Sequence, residues 1–320
     1  MTRRQPVAVC LMGPTASGKT ELALALADVG PFEIVSVDSA LVYRGLDIGT
    51  AKPDAEILER YPHHLIDIRD PVEPYSAANF RVDVLQVMDE IRNRGHIPLL
   101  VGGSMLYFKA LRDGLADMPP ANTAIRESIQ ALADEGGWSA VHARLGEVDP
   151  EAAARINPND PQRLQRALEV YELSGKSMTR LHQESQYRSG EPCLDRNQCP
   201  YHLCQIAVVP PDRARLHTRI EQRFMKMLEV GLVAEVQRLY DRGDLEPTLP
   251  AIKAVGYRQV WQYLEGGCDY ATMVEKGIAA TRQLAKRQLT WLRTWPDIAV
   301  IESPDSVSVL KILKSGSILE

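Results

Sequence analysis

Residues Gly13-Pro14-Thr15-Ala16-Ser17-Gly18-Lys19-Thr20 match G-x-x-x-x-G-K-[ST] in full. On average residue usage, such a run arises by chance in on the order of one in a hundred chains of this length. The chemistry it suits is anion binding. Backbone N–H groups of residues 16–20 can wrap a phosphate where a helix begins, and the helix dipole is positive there. Lys19 adds a full charge, and the Thr20 hydroxyl can reach a Mg²⁺ ion. The run points to a diphosphate or triphosphate without saying which reaction uses it.

A nucleotide hydrolase or kinase is the default reading of such a loop, and it needs an acid at a strand end to order Mg²⁺. The apolar run 97–101 closes instead on Gly102-Gly103-Ser104. In the first half of the chain the only acid at a strand end is Asp38, after Ile34-Val35-Ser36-Val37. There a carboxylate can bind Mg²⁺ through water, accept a proton or cap a turn. It lies near the phosphate loop if the two strands are neighbours.

The elements that must position these groups alternate. Val7–Met12 reads as a buried parallel strand, Lys19–Val29 as a helix, 34–37 as a second strand, 76–94 as a helix and 97–101 as a third strand. That alternation implies an α/β sheet with parallel strands. Between Asp117 and Pro192 no strand is predicted, and the helices read as short and punctuated. One is well marked: Asp160 caps it, Pro161 suits its first turn, and Leu164, Leu168 and Tyr171 form its apolar stripe. A strand resumes at 202–209, followed by helices from Asp212, Gly231, Gly256 and Asp269 and a late strand at 298–301.

An ordered set of further segments resembles the bacterial tRNA dimethylallyltransferases. These are Asp38-Ser39-Ala40-Leu41-Val42-Tyr43-Arg44-Gly45-Leu46-Asp47-Ile48-Gly49-Thr50-Ala51-Lys52-Pro53, His64-Leu65-Ile66-Asp67-Ile68, Gly102-Gly103-Ser104-Met105-Leu106-Tyr107, Asn159-Asp160-Pro161-Gln162-Arg163, Val255-Gly256-Tyr257-Arg258 and Thr281-Arg282-Gln283-Leu284-Ala285-Lys286-Arg287-Gln288. With the phosphate loop they span residues 7 to about 295. The resemblance implies dimethylallyl diphosphate as donor, Mg²⁺ as cofactor, and as acceptor the exocyclic amine of adenosine-37 in tRNAs reading codons that begin with U. It assigns the loop residues, Arg213 and Arg219 to the diphosphate, and Asp38 to the amine proton. It places Asp38-Ser39-Ala40-Leu41, Ser104, Arg126, Gln162-Arg163-Leu164-Gln165-Arg166 and Lys253-Ala254-Val255-Gly256-Tyr257-Arg258 at the tRNA. Ser104 stands where the family often has Thr, and keeps the hydroxyl. The expected architecture is a P-loop nucleotide-kinase-like parallel core (1–116 and 193–320) with an inserted helical domain (117–192), acting as a cytoplasmic monomer on an anticodon stem-loop.

Composition sets one apparent obstacle. Across 320 residues, 37 basic against 42 acidic side chains leave a net charge of −5, whereas nucleic-acid-binding domains tend to be basic. The charge is segregated. Residues 276–293 hold five bases (Lys276, Arg282, Lys286, Arg287, Arg293) and no acid, whereas 54–73 and 127–151 sum to −4 and −5. Arg282 and Lys286 are one helical turn apart and can present a positive edge to RNA. No apolar run reaches the ~20 residues of a membrane span, and five cysteines make a disulfide framework an unsuitable reading. Cys193, Cys199 and Cys204 fit no common zinc spacing, and His63-His64 reads as a turn and strand start. The rival functions are a prenyltransferase for free adenylate, a small-molecule kinase and a nucleotide-switched RNA-binding module.

Overall fold

The computed structural model describes residues 5–188, 191–192 and 199–316. The chain opens with β1 (Val7–Met12), α1 (Lys19–Val29), β2 (Phe32–Val37), the short α2 (Ala55–Arg60), the two-residue β3 (His63–His64), α3 (Ala77–Asn93), β4 (Ile97–Gly102) and α4 (Met105–Asp113). Next come α5 (Thr123–Val148), α6 (Pro150–Arg155), α7 (Pro161–Ser174), α8 (Met178–Gln186), β5 (Tyr187–Arg188) and β6 (Glu191–Pro192). β7 (His202–Val208), α9 (Arg213–Glu229), α10 (Leu232–Tyr240), α11 (Tyr257–Leu264), α12 (Tyr270–Arg293), β8 (Ala299–Ile301) and α13 (Ser306–Ser315) complete it. Residues 114–198 form one compact unit and the rest another. The inserted unit thus runs a few residues beyond the expected 117–192 at each end.

The larger unit is built on a six-stranded sheet in the order β3-β2-β4-β1-β7-β8, with every pairing parallel. The expected parallel α/β core is therefore present. Its central strands read as unbroken apolar runs because both faces are covered: Val9, Leu11 and Ile34 pack with Leu22 and Leu26 of α1, and Ala8, Cys10 and Val35 pack with Phe80, Val84 and Met88 of α3. α3 starts where it does because of a reciprocal cap. The Ser76 hydroxyl accepts from the Asn79 amide at 3.1 Å, and the Asn79 side chain accepts from the Ser76 amide at 3.1 Å.

The strands carrying the phosphate loop and Asp38 are not neighbours, since β4 lies between β1 and β2. Two inter-strand spacings of ~4.8 Å separate them by about 10 Å.

The smaller unit packs Ile129, Val141, Leu145, Ala152, Leu164, Ala167 and Leu168 into its own core. The expected punctuation is present in α5, which is two helical stretches broken at Gly137 (φ 71°, ψ 171°); one expectation fails, since β5 pairs with β6 where no strand was expected. On α7, Tyr171 is only half-buried, and Glu169 and Val170 are buried instead. The α6 and α8 starts share one acid. Asp149, 3% exposed, accepts from the Ala152 amide (3.1 Å) through Oδ1 and from the Thr179 amide (3.0 Å) through Oδ2. Asp149→Ala is expected to lower stability by about 2–3 kcal/mol, two caps of ~1 kcal/mol plus the cost of unpaired buried amides. Asp149→Asn should cost less, because its amide oxygen keeps one cap. Urea denaturation checks both.

Candidate active site

The phosphate loop lies between β1 and α1, and its backbone is held in an uncommon shape. Ala16 (φ 61°) and Gly18 (φ 91°) both occupy the left-handed region, which turns successive amides toward one side. Gly18 caps α1 without a side chain, so the helix's first N–H groups are left for a ligand. Lys19 folds back onto its own loop, donating from Nζ to the Pro14 carbonyl at 2.6 Å and to Ser17 Oγ at 3.3 Å. Burial, and then the neighbouring Arg223, push its ammonium down to about 7, against the opposing pull of Asp38 and Glu21. The site is short of negative charge.

Across the gap, β4 ends in Gly102-Gly103, and neither position tolerates a side chain. A Cβ on Gly102 would lie 2.0 Å from the Val37 carbonyl oxygen, and one on Gly103 would lie 2.3 Å from Gln288 Nε2. Gln288 of α12 uses the space. Its Oε1 accepts from the Thr15 amide at 2.9 Å and its Nε2 donates to the Gly103 carbonyl at 3.0 Å, so it joins the loop to the β4 turn. Ser104 follows, its Oγ accepting from the Ser39 amide at 3.0 Å. This serine, expected at the tRNA, braces the turn that carries Asp38.

Asp38 caps the turn that follows β2. Oδ1 accepts from the Ala40 and Leu41 amides at 2.8 and 3.3 Å, which fixes the turn. Oδ2 takes no hydrogen bond among the described residues, and Asp38 lines a cavity of ≈ 970 Å³ whose walls also include the phosphate loop. Cavities of this size hold drug-sized ligands.

The third wall comes from α9 and α12. Arg219, Arg223, Arg287 and Trp291 all line the cavity. Of the two arginines expected there, Arg219 is in place, but Arg213 is an exposed residue at the start of α9 and does not line it. Arg223, which sequence reasoning missed, stands one helical turn beyond Arg219. Burial pulls its guanidinium below the usual value, opposed by Asp38 and Glu21, and Nη2 donates to the Thr50 carbonyl at 3.3 Å. The i, i+4 spacing from Arg219, on the flank of the buried Leu216-Ile220-Phe224 stripe, was the available signal.

The remaining predicted residues separate by place. Ser39, Ala40, Leu41, Lys253, Ala254, Val255, Gly256 and Tyr257 line the same cavity, while Arg258 is exposed outside its lining. On α12, Lys276 and Lys286 are exposed, and Arg282 donates to Glu221 at 2.8 Å. In the smaller unit Leu164 is fully buried, so its side chain holds α7 in place and offers no contact surface. Gln162 and Arg163 are exposed, and Gln165 donates to the Arg126 carbonyl at 3.4 Å. Arg126 and Arg166 both turn to the fully buried Glu169, at 2.8 and 2.6 Å. Burial would raise that carboxyl's pKa, but hydrogen bonds from Arg126, the Asn122 amide and Arg166 carry it below the ordinary value.

Among the described residues no three His, Cys, Asp or Glu side chains converge as a metal site. Cys193 lies outside the described residues. His63 and His64 form β3 and make separate contacts, with the Tyr61 carbonyl and with Glu33. A Mg²⁺ ion therefore fits this cavity only as one carried largely by phosphate oxygens and water, with the Thr20 hydroxyl and the free Asp38 oxygen within the same lining.

Comparison with known proteins agrees with this arrangement. The sequence profile of the IPP transferase family matches residues 41–295. The full-length tRNA isopentenylpyrophosphate transferase of Bacillus halodurans is 35% identical over 98% of this chain and 95% of that one, with a TM-score of 0.67. The tRNA delta(2)-isopentenylpyrophosphate transferase of Staphylococcus epidermidis is 30% identical over 98% of both chains, with a TM-score of 0.67. A eukaryotic dimethylallyltransferase acting on tRNA, 24% identical over 98% of this chain and 77% of that one, shares the fold with a TM-score of 0.75.

The state of Lys19 can be read from binding. Above pH 7 much of it is neutral in the free protein, and a bound anion favours its charged form, so binding takes up a proton. Calorimetry with inorganic diphosphate at pH 8, in buffers of different ionisation enthalpy, should show an uptake exceeding that of Lys19→Arg by up to about one proton. Equal values for the two proteins would place the lysine elsewhere than against the anion.

Proposed function

The chain belongs to the IPP transferase family, and on that premise we propose that it transfers the dimethylallyl group of dimethylallyl diphosphate to the exocyclic amine of adenosine-37 in tRNAs reading codons that begin with U. The observation that carries this reading is the single cavity in which a cation-rich phosphate cradle faces the free oxygen of Asp38 across a floor of two glycines. Among the described residues no helix is long and apolar enough to cross a membrane. We place the reaction in the cytoplasm, carried out by a monomer on an anticodon stem-loop.

The chemistry asks for two things on opposite sides of one carbon. The amine nitrogen attacks the allylic carbon as that carbon's bond to oxygen breaks, and the electron pair leaves with the diphosphate. Charge growing on the leaving group meets donors already in position: the loop amides, Lys19, Arg219 and Arg223. Mg²⁺ carried on the diphosphate, within reach of the Thr20 hydroxyl, would add fixed positive charge to the departing oxygens. The adenine amine is a weak nucleophile that must shed a proton, and Asp38 Oδ2 is the acceptor that no protein group occupies. An adenosine in a single-stranded loop costs only a few kcal/mol to unstack, so it can enter the cavity as an extruded base. Filling the cavity from both sides excludes the water that would capture an allylic cation-like centre.

This reading also accounts for the absence of an acid at the end of β4. A phosphoryl-transfer enzyme uses such an acid to order its metal, whereas here β4 ends in Gly102-Gly103, which line the cavity and carry no carboxylate.

The test uses the protein, Mg²⁺, labelled dimethylallyl diphosphate and either unmodified tRNA or AMP. Label in tRNA is expected. Label in AMP alone would favour a free-adenylate enzyme, and none in either would overturn the proposal. Asp38→Ala should lose roughly 10²–10⁴-fold in turnover with donor affinity nearly unchanged; equal losses would argue against a base. Arg163→Ala should weaken tRNA binding and lower its salt slope by about one while sparing donor binding. An unaltered slope would remove Arg163 from the RNA surface.

A further inference from the structure

Glu235 of α10 is 1% exposed, and no Lys or Arg pairs with it among the described residues. Its charge is met by four uncharged donors. Oε2 accepts from the Asp47 and Ile48 amides at 3.2 and 2.8 Å, and Oε1 accepts from the Gly49 amide at 3.1 Å and the Tyr257 hydroxyl at 2.5 Å. Three consecutive backbone N–H groups converge on a carboxylate in the way a loop converges on a bound anion. The loop is pressed against the aromatic ring below it: a Cβ on Gly49 would lie 2.5 Å from Tyr257 Cε2.

Both partners of Glu235 belong to cavity walls. The loop continues through Thr50, whose carbonyl accepts from Arg223 Nη2 at 3.3 Å. Tyr257 closes the segment that begins at Lys253. We propose that Glu235 is a positioning residue for the transfer reaction: by holding the 47–50 loop it sets Arg223 against the diphosphate, and through Tyr257 it fixes the wall at 253–257. The inference rests on the reading of Arg223 as a diphosphate ligand. The bulk of Gln is right for the position, but its –NH₂ faces amides that need an acceptor, so the loop cannot be gripped as before.

A double-mutant cycle separates this role from mere support of the fold. Diphosphate affinity is measured by calorimetry for Glu235→Gln, Arg223→Ala and the double variant, with melting temperatures alongside. Each single change is expected to weaken binding about tenfold, and the double change should bind no more weakly than Arg223→Ala, because both act through one guanidinium. Tyr257→Phe removes one of the four bonds and keeps the ring under Gly49. It should give a smaller loss that also vanishes in the Arg223→Ala background, and it serves where Glu235→Gln fails to fold. Losses that multiply would overturn the positioning role while leaving Arg223 as a ligand. Unchanged affinity in Arg223→Ala would overturn both.

Discussion

One side-chain amide sets the dimensions of the site. Gln288 accepts from the Thr15 amide and donates to the Gly103 carbonyl, so both ends of its short dipole are used and neither backbone group is left unpaired. An unsatisfied buried amide or carbonyl costs about 1–3 kcal/mol, and removing Gln288 would leave one of each. The bridge holds the phosphate loop at a fixed distance from the β4 turn, and Ser104 carries the connection on to the Asp38 turn. The ~10 Å between β1 and β2 thus becomes a defined gap. It also makes α12 part of the site, since the helix that carries Gln288 brings Arg287 and Trp291 to the cavity.

Electrostatics explains how a chain of net charge −5 can serve two polyanions. Acidic side chains are spent on holding structure. Glu235 grips a loop, Glu169 ties down Arg126 and Arg166, Asp149 caps two helices, and Glu33 gathers Arg94, His64 and His96. The cavity retains Lys19, Arg219, Arg223, Lys253 and Arg287 in excess over Asp38 and Glu21. Burial has already moved Lys19 toward neutrality, so the cradle is poised to regain charge when an anion arrives. The sum over the whole sequence says little about the field at this one place.

Local chemistry was legible in the sequence and long-range chemistry was not. The phosphate loop, Asp38 after its strand, the Asp160 cap and the parallel core all follow from patterns a few residues long. What escaped depended on partners far away in sequence. Gln288 reaches Thr15 across 273 residues and Glu235 reaches Ile48 across 187; each reads locally as an ordinary polar helix residue. The insertion of β4 between β1 and β2 is a topological fact that no strand announces by itself. Leu164 was included in a contact segment because its neighbours are polar, although its own apolar side chain belongs to the core.

The proposed transfer requires donor and acceptor to occupy opposite sides of one cavity at the same time. Equilibrium binding of an unreactive dimethylallyl thiodiphosphate, titrated against protein saturated with an anticodon stem-loop RNA, tests it most directly. A ternary complex, with the donor analogue binding at least as tightly as it does to the free protein, is the predicted result. Competition between analogue and RNA would contradict the account, because it would mean that the two ligands claim the same space.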